Sequence, residues 1–235
     1  FLFAGDDIIY LPKDTLIPVH EPLAAPQETV LPSEVAVHFV DQANHLFIMD
    51  ACFCREADQC EDYPIDIGCL FMGEAVHQIN PKLGHLATRE EAHAHLARAR
   101  EAGLVHMIGR NRIDYVWMGV GPYGKLLTIC NCCPCCCLWR VLPELPEEIR
   151  ANVTPMPGVS VAVTDRCVGC GTCADGVCFV DAIRMVDGRA MIGDACLGCG
   201  RCVEACPTGA IELSINNGAY VTNAIERLTP LVDIT

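Results

Sequence analysis

"AMIGDACLGCGRCVEACPTGAI", residues 190–211, sets Cys196, Cys199, Cys202 and Cys206 in the order C-x2-C-x2-C-x3-C-P, with Pro207 directly after the last thiol. The stretch has a twin. "VAVTDRCVGCGTCADGVCFVDAI", residues 161–183, carries Cys167, Cys170 and Cys173 at the same spacing, 29 positions earlier, and a fourth thiol at Cys178. Gly169, Gly171, Gly198 and Gly200 fall inside the triples. A tight glycine-bearing loop lets three thiolates curl round three corners of a cube, and lets backbone N–H groups approach its sulfides. The run is the one that holds a [4Fe–4S] cluster.

In paired runs of this kind the fourth thiolate ligates the other cluster. Cys167, Cys170, Cys173 and Cys206 are therefore expected to hold one cluster, and Cys196, Cys199, Cys202 and Cys178 the second. Residues 158–214 resemble the bacterial 2[4Fe–4S] ferredoxin fold. The first copy departs from the pattern, with four residues before Cys178 and Phe179 where proline is usual. The competing reading is a pair of zinc knuckles, but these use C-x2-C pairs split by a longer loop. "MVDGRAM" (185–191) has the Asp-Gly pair of a hairpin turn.

Upstream, residues 143–157 carry four prolines and no cysteine and read as a linker. Before them stand ten cysteines in two groups, "CFCREADQCEDYPIDIGC" with Cys52, Cys54, Cys60 and Cys69, and "ICNCCPCCCLW" (129–139) with Cys130, Cys132, Cys133, Cys135, Cys136 and Cys137. Disulfides suit the second group poorly, because neighbouring thiols cannot reach bridge geometry. Thr88 and Glu91 form a capping box, and Ala92, Leu96, Ala99 and Gly103 mark a helix face and its stop. Leu104 to Ile108 follows as a strand, so both thiol groups can meet across one core.

"CFCR", "CLFMGEA", "EAGLVH" and "ICNCCPCCC", followed by the ferredoxin pair, resemble a family of cysteine-rich 4Fe–4S binding proteins of anaerobic bacteria and archaea, over roughly residues 30 to 232. The resemblance implies further redox cofactor in the N-terminal domain. Two extra [4Fe–4S] clusters, one extra cluster, and zinc or an unusual cluster all remain open. One division takes Cys52, Cys54, Cys60 and Cys69 together with Cys132, Cys133, Cys135 and Cys136, and Cys130 or Cys137 can replace any of these. Adjacent thiolates diverge and so feed two centres, or one larger noncubane centre. Arg55 either offsets cluster charge or pairs on the surface with Glu56 or Asp58; Lys125 carries the same two readings.

His93 and His95 read as solvated helix residues, and His106 as a core histidine. "GVGPYGK" (119–125) lacks P-loop spacing, no GxGxxG follows a strand, and no catalytic triad or carboxylate pair stands out. Val221, Ile225 and Leu228 mark the apolar face of a short tail helix that packs back on the N-terminal domain or docks on a partner.

The expected class is α+β: a cysteine-rich mixed α/β domain (1–142), a Pro-rich linker (143–157), a dicluster ferredoxin-type domain (158–214) and a helical tail (215–235). The chain has 235 residues, 18 cysteines and a formal net charge of −14. The acidity disfavours nucleic acid and suits docking on basic patches of redox partners. Residues 1–10 lack a basic, apolar leader, no stretch suits a membrane span, and the thiol clustering fits a reducing cytoplasm. The leading expectation is an electron-transfer protein or subunit, relaying single electrons through the ferredoxin clusters to further N-terminal clusters and a larger anaerobic oxidoreductase. Its rivals are a reductase with an open iron site in the N-terminal domain, and a cluster storage or assembly protein.

Overall fold

The computed structural model describes residues 7–13, 33–215 and 219–235. The first six residues of the opening decapeptide, residues 14–32 of the expected N-terminal domain and residues 216–218 of the expected tail lie outside them.

In chain order the elements are β1 (Asp7–Tyr10), α1 (Glu34–Gln42), β2 (Leu46–Met49), α2 (Phe53–Ala57), β3 (Leu70–Met72), β4 (Gly84–Ala87), α3 (Arg89–Glu101), β5 (Val105–Arg110), α4 (Arg112–Met118), β6 (Leu127–Cys132), α5 (Glu147–Arg150), β7 (Val153–Pro155), β8 (Val159–Val163), β9 (Ile183–Val186), β10 (Arg189–Ile192), α6 (Arg201–Ala205), β11 (Ile211–Ile215) and α7 (Tyr220–Leu228). Strands β1 to β7 form one sheet in the order β4-β2-β3-β6-β5-β1-β7. Every pairing in it is antiparallel except β1 with β7. The mixture of helices and strands is of the α+β kind.

The inner strands β5 and β6 are buried on both faces, with His106, Thr128 and Asn131 as their buried polar residues. One face carries Ile9, Ile48, Leu70, Ile108, Leu127 and Ile129 and packs under α1, α3 and α7 through Phe39, Leu96 and Leu228. The opposite face carries Ile8, Tyr10, Val105, Met107 and Cys132 and packs on Trp139, Phe179 and Leu197. Strand alternation in β6 therefore sends Ile129 towards the helices and Cys132 towards the ferredoxin-like part.

Helix α3 starts as expected: the Thr88 hydroxyl accepts from the Glu91 amide at 3.2 Å, and the Glu91 carboxylate accepts from the Thr88 amide at 2.8 Å. Gly103, with φ +76°, turns the chain out of it into β5. The stretch expected as a linker is built into the fold instead. It contains α5 and β7, and β7 joins the sheet edge with Ile8 opposite Val153. Its prolines are compatible with this because an edge strand needs fewer ladder donors.

The ferredoxin-like part is two antiparallel ribbons, β8 with β11 and β9 with β10. The Asp187-Gly188 turn has positive φ at both positions, 47° and 76°, as a type I′ hairpin requires. In α7 the buried line is Tyr220, Ala224 and Leu228, with Val221 and Ile225 partly buried beside it. The tail packs back on the N-terminal core. No helix among the described residues is long and apolar enough to cross a membrane.

Candidate metal centres

Two thiol quartets lie in the ferredoxin-like part. The charges felt by Cys173 come from Cys206, Cys167 and Cys170, and those felt by Cys202 come from Cys199, Cys196 and Cys178. Each quartet thus takes three thiols from one loop and the fourth from the other. Amides point at the sulfurs: Ala210 N–H to Cys206 Sγ at 3.2 Å, Ala182 N–H to Cys178 Sγ at 3.3 Å and Gly198 N–H to Cys196 Sγ at 3.4 Å. Gly169 has φ +72°, and a Cβ there would meet the Gly188 carbonyl oxygen at 2.0 Å; only glycine fits.

The donor set suits an iron–sulfur cluster. Burial, then the crowding of Cys199, Cys196 and Cys178, pushes the Cys202 thiol up to about 12. Burial raises Cys196 and Cys199 as well, and thiols raised in this way give up their protons when a metal binds. At the other quartet Cys170 is exposed. Burial acts to raise Cys206, but hydrogen bonds from the Thr208 hydroxyl and the Ala210 amide outweigh it and bring the thiol down to about 7.

Residues 192–212 match the protein family described as 4Fe-4S binding domain. The match covers Cys196, Cys199, Cys202 and Cys206, so iron–sulfur binding of the electron-transfer type is supported for this segment. The first copy, with its longer loop before Cys178, lies outside the match. No curated protein and no solved structure matches the chain.

Besides Cys133, which also belongs to a second group, one cavity of about 50 Å³ is lined by six of the ten N-terminal thiols: Cys52, Cys54, Cys69, Cys130, Cys132 and Cys137. They stand as three close pairs. Cys69 and Cys130 are 3.6 Å apart; Cys52 is hydrogen-bonded to Cys54 and Cys132 to Cys137. The bond from Cys54 holds Cys52 down to about 6, while Cys54 itself is pushed up. Trp117, Phe53 and Leu138 also line it.

The other four, Cys60, Cys133, Cys135 and Cys136, bring their sulfurs within 4.8 Å of one another. The structure therefore separates residues that the sequence places side by side. Cys133 lines the cavity beside Cys132, yet its sulfur closes on Cys60, Cys135 and Cys136, while Cys136 and Cys137 face different sets. Cys135 and Cys136, by contrast, turn to the same point, with 3.5 Å between their sulfurs, against the expectation that adjacent thiols diverge.

Arg55 is fully buried, which removes the surface-pairing reading. Its guanidinium donates to the carbonyls of Pro64 (2.8 Å), Asn131 (2.7 Å) and Ile67, and lies against Cys52, Cys133 and Cys132. Lys125 is on the surface with Asp233 and Glu74. His93 pairs with Asp41 at 2.8 Å. His95, expected to be solvated, is buried instead and bonds the Gly68 carbonyl at 2.9 Å; His106 bonds Asn131 Oδ1 at 2.8 Å in the core.

Three residues join the six-thiol cavity to the nearer ferredoxin quartet. Tyr10, wholly buried, has Cys132, Cys137, Cys130 and Cys199 as its charged neighbours, and its hydroxyl has no hydrogen-bond partner among the described residues. The Phe179 ring lies 5.1 Å from the Tyr10 ring, which gives the departure from proline after Cys178 a packing role. Arg201 donates to the Cys132 carbonyl and stands against Cys137 and Cys199. The Lys13 amide, just beyond β1, donates to the Cys199 carbonyl at 3.1 Å. Nothing in the sequence singles out Tyr10, which is one aromatic residue in a short apolar strand.

Proposed function

We propose that the chain is a one-electron carrier with its redox centres in series. Cys167, Cys170, Cys173 and Cys206 would hold the entry cluster near the surface, and Cys178, Cys196, Cys199 and Cys202 the next. Thiols of the six-membered cavity would hold a further iron–sulfur centre. One-electron exchange is the chemistry such clusters supply when bound. The observation that carries the reading is the buried junction between the second quartet and the cavity, filled by Tyr10, Phe179 and Arg201. A polar hydroxyl without a protein partner is costly in such a place, and it suits a donor aimed at cluster or thiolate sulfur.

The cavity offers six thiols where a cubane takes four. An open iron site, which the reductase reading needs, has less support than full thiolate ligation. The partners would be other redox proteins, met through an acidic surface in a reducing compartment. The test is iron and acid-labile sulfide per chain on anaerobically purified protein, followed by a potentiometric titration read by electron paramagnetic resonance. Eight irons from the two quartets plus at least four from the cavity are expected, about twelve in all, with broadened signals from neighbouring centres. Eight irons alone would leave a plain two-cluster carrier and end the series at the junction.

A further inference from the structure

We infer that Cys60, Cys133, Cys135 and Cys136 bind a single tetrahedral metal ion, zinc by the nature of the donor set, and not a cubane. The argument is one of size. A zinc–thiolate bond of about 2.3 Å in a tetrahedron places the sulfurs about 3.8 Å apart. Thiolates pointing outward from the four irons of a cubane are held much wider, at about 6 Å. In the quartet all four sulfurs fall within 4.8 Å of one another, with Cys60 and Cys135 3.6 Å apart and Cys135 and Cys136 3.5 Å. It is this closure of four sulfurs, and not a single close pair such as Cys69 and Cys130 at 3.6 Å, that fits one ion.

The molecule provides its own standard. Among the described residues no other group of three or more potential ligands closes to that distance. Neither ferredoxin quartet, whose spacing is that of cubane loops, forms such a closed group. A tetrahedral all-sulfur site selects zinc or a lone iron among common metals.

The surroundings are those of a fixed ion. The Cys136 amide donates to Cys133 Sγ at 3.3 Å, and the Cys60 amide donates to the Arg55 carbonyl at 2.9 Å. Arg55 lies against Cys133, and Arg140 donates to the Cys135 carbonyl. Two cations thus face a site that carries two net negative charges with zinc bound to four thiolates.

The ion would act as a clamp. Cys60 follows α2, which brings Cys54 to the cavity, while Cys133 to Cys136 sit between Cys132 and Cys137. One ion thus ties the two walls of the six-thiol cavity together across 75 residues of chain. This inference rests on the proposed function only in treating that cavity as a redox site; the clamp itself does not need it.

The test uses the full chain, purified anaerobically from cells supplied with both iron and zinc, with the metals counted by mass spectrometry. We expect about one zinc per chain, with zinc K-edge absorption fitted by four sulfurs at about 2.3 Å. Cys60→Ser should lose that ion while the iron count stays the same. A single iron in its place, lost alone in the variant, supports the single-ion site equally. Loss of about four irons with their sulfide in Cys60→Ser overturns it, as does wild-type protein with no ion beyond its clusters. Where the variant does not fold, absorption on the wild-type protein decides. Zinc present with fewer than eight irons would sink the electron path and leave this inference standing; twelve irons without zinc would do the reverse.

Discussion

Replacing Arg55 by methionine keeps an unbranched, flexible side chain, shorter than arginine, and removes its charge and all five donors. Three carbonyl oxygens, those of Pro64, Asn131 and Ile67, lose their partner in a site with no access to water. Hydrogen bonds to a charged group contribute about 1.5–3 kcal/mol each. Three taken at face value would exceed what breaking a buried ionic site costs, about 3–5 kcal/mol. The lower range is the better guide, because the three carbonyls share one side chain and relax together. With a urea dependence of about 2.5 kcal/mol per molar, Arg55→Met should lower the unfolding midpoint by about 1–2 M. The assay is anaerobic urea unfolding of the metallated protein, followed by far-ultraviolet circular dichroism. Arg55→Lys keeps the charge but not the planar fork, and should fall about midway. A methionine variant that unfolds within about 0.3 M of wild type would refute the account of Arg55 as a buried brace.

Gly169→Ala should empty the first ferredoxin quartet, with about four irons lost, because its Cβ meets the Gly188 carbonyl oxygen at 2.0 Å. Gly171→Ala, with the same sign of φ and open space around it, should lose only about 1–2 kcal/mol and keep its iron; equal loss from both would show that the contact is unimportant. Thr88→Ala removes one half of the capping box and should destabilise the protein by about 1 kcal/mol in thermal or urea unfolding. Leu228→Ala opens a hole at a fully buried position and should cost about 2–5 kcal/mol; stability within error of wild type would mean that the tail serves a partner and not the core. Tyr10→Phe deletes a hydroxyl with no partner among the described residues, so stability should hold while the potential of the adjoining centre falls, as cluster potentials do when a donor is lost.

Much of this was legible where local chemistry decides. The Asp187-Gly188 hairpin and the Thr88–Glu91 cap each depend on a few neighbouring residues, and the residues specify them. The crossing of the ferredoxin thiols follows from the resemblance to paired cluster runs, and the structure groups the same residues. The sorting of the N-terminal thiols was not legible. It depends on where β6 ends, since alternation places Cys130 and Cys132 on one face, and the turn after Cys132 sends Cys133 the other way. Cys60 joins that second set through a contact 75 residues distant, and no spacing reports such a meeting. The Pro-rich stretch misled because edge strands tolerate proline, and α5 and β7 use it there. Arg55 was ambiguous because its acidic neighbours in sequence, Glu56 and Asp58, are not its neighbours in space.

Strand β1 belongs to the large sheet through β5 and β7, yet the chain just beyond it is bonded to the Cys199 carbonyl and its last residue fills the junction. The interval between the second ferredoxin quartet and the six-thiol cavity is thus fixed by main chain and by the buried side chains of Tyr10, Phe179 and Arg201. Transfer across it would be a first-order event, indifferent to dilution and to salt. Arrival at the exposed Cys170 end would instead be second-order, and sensitive to both through the charge of −14. Raising ionic strength should therefore slow the filling of the molecule while leaving untouched the rate at which charge settles within it.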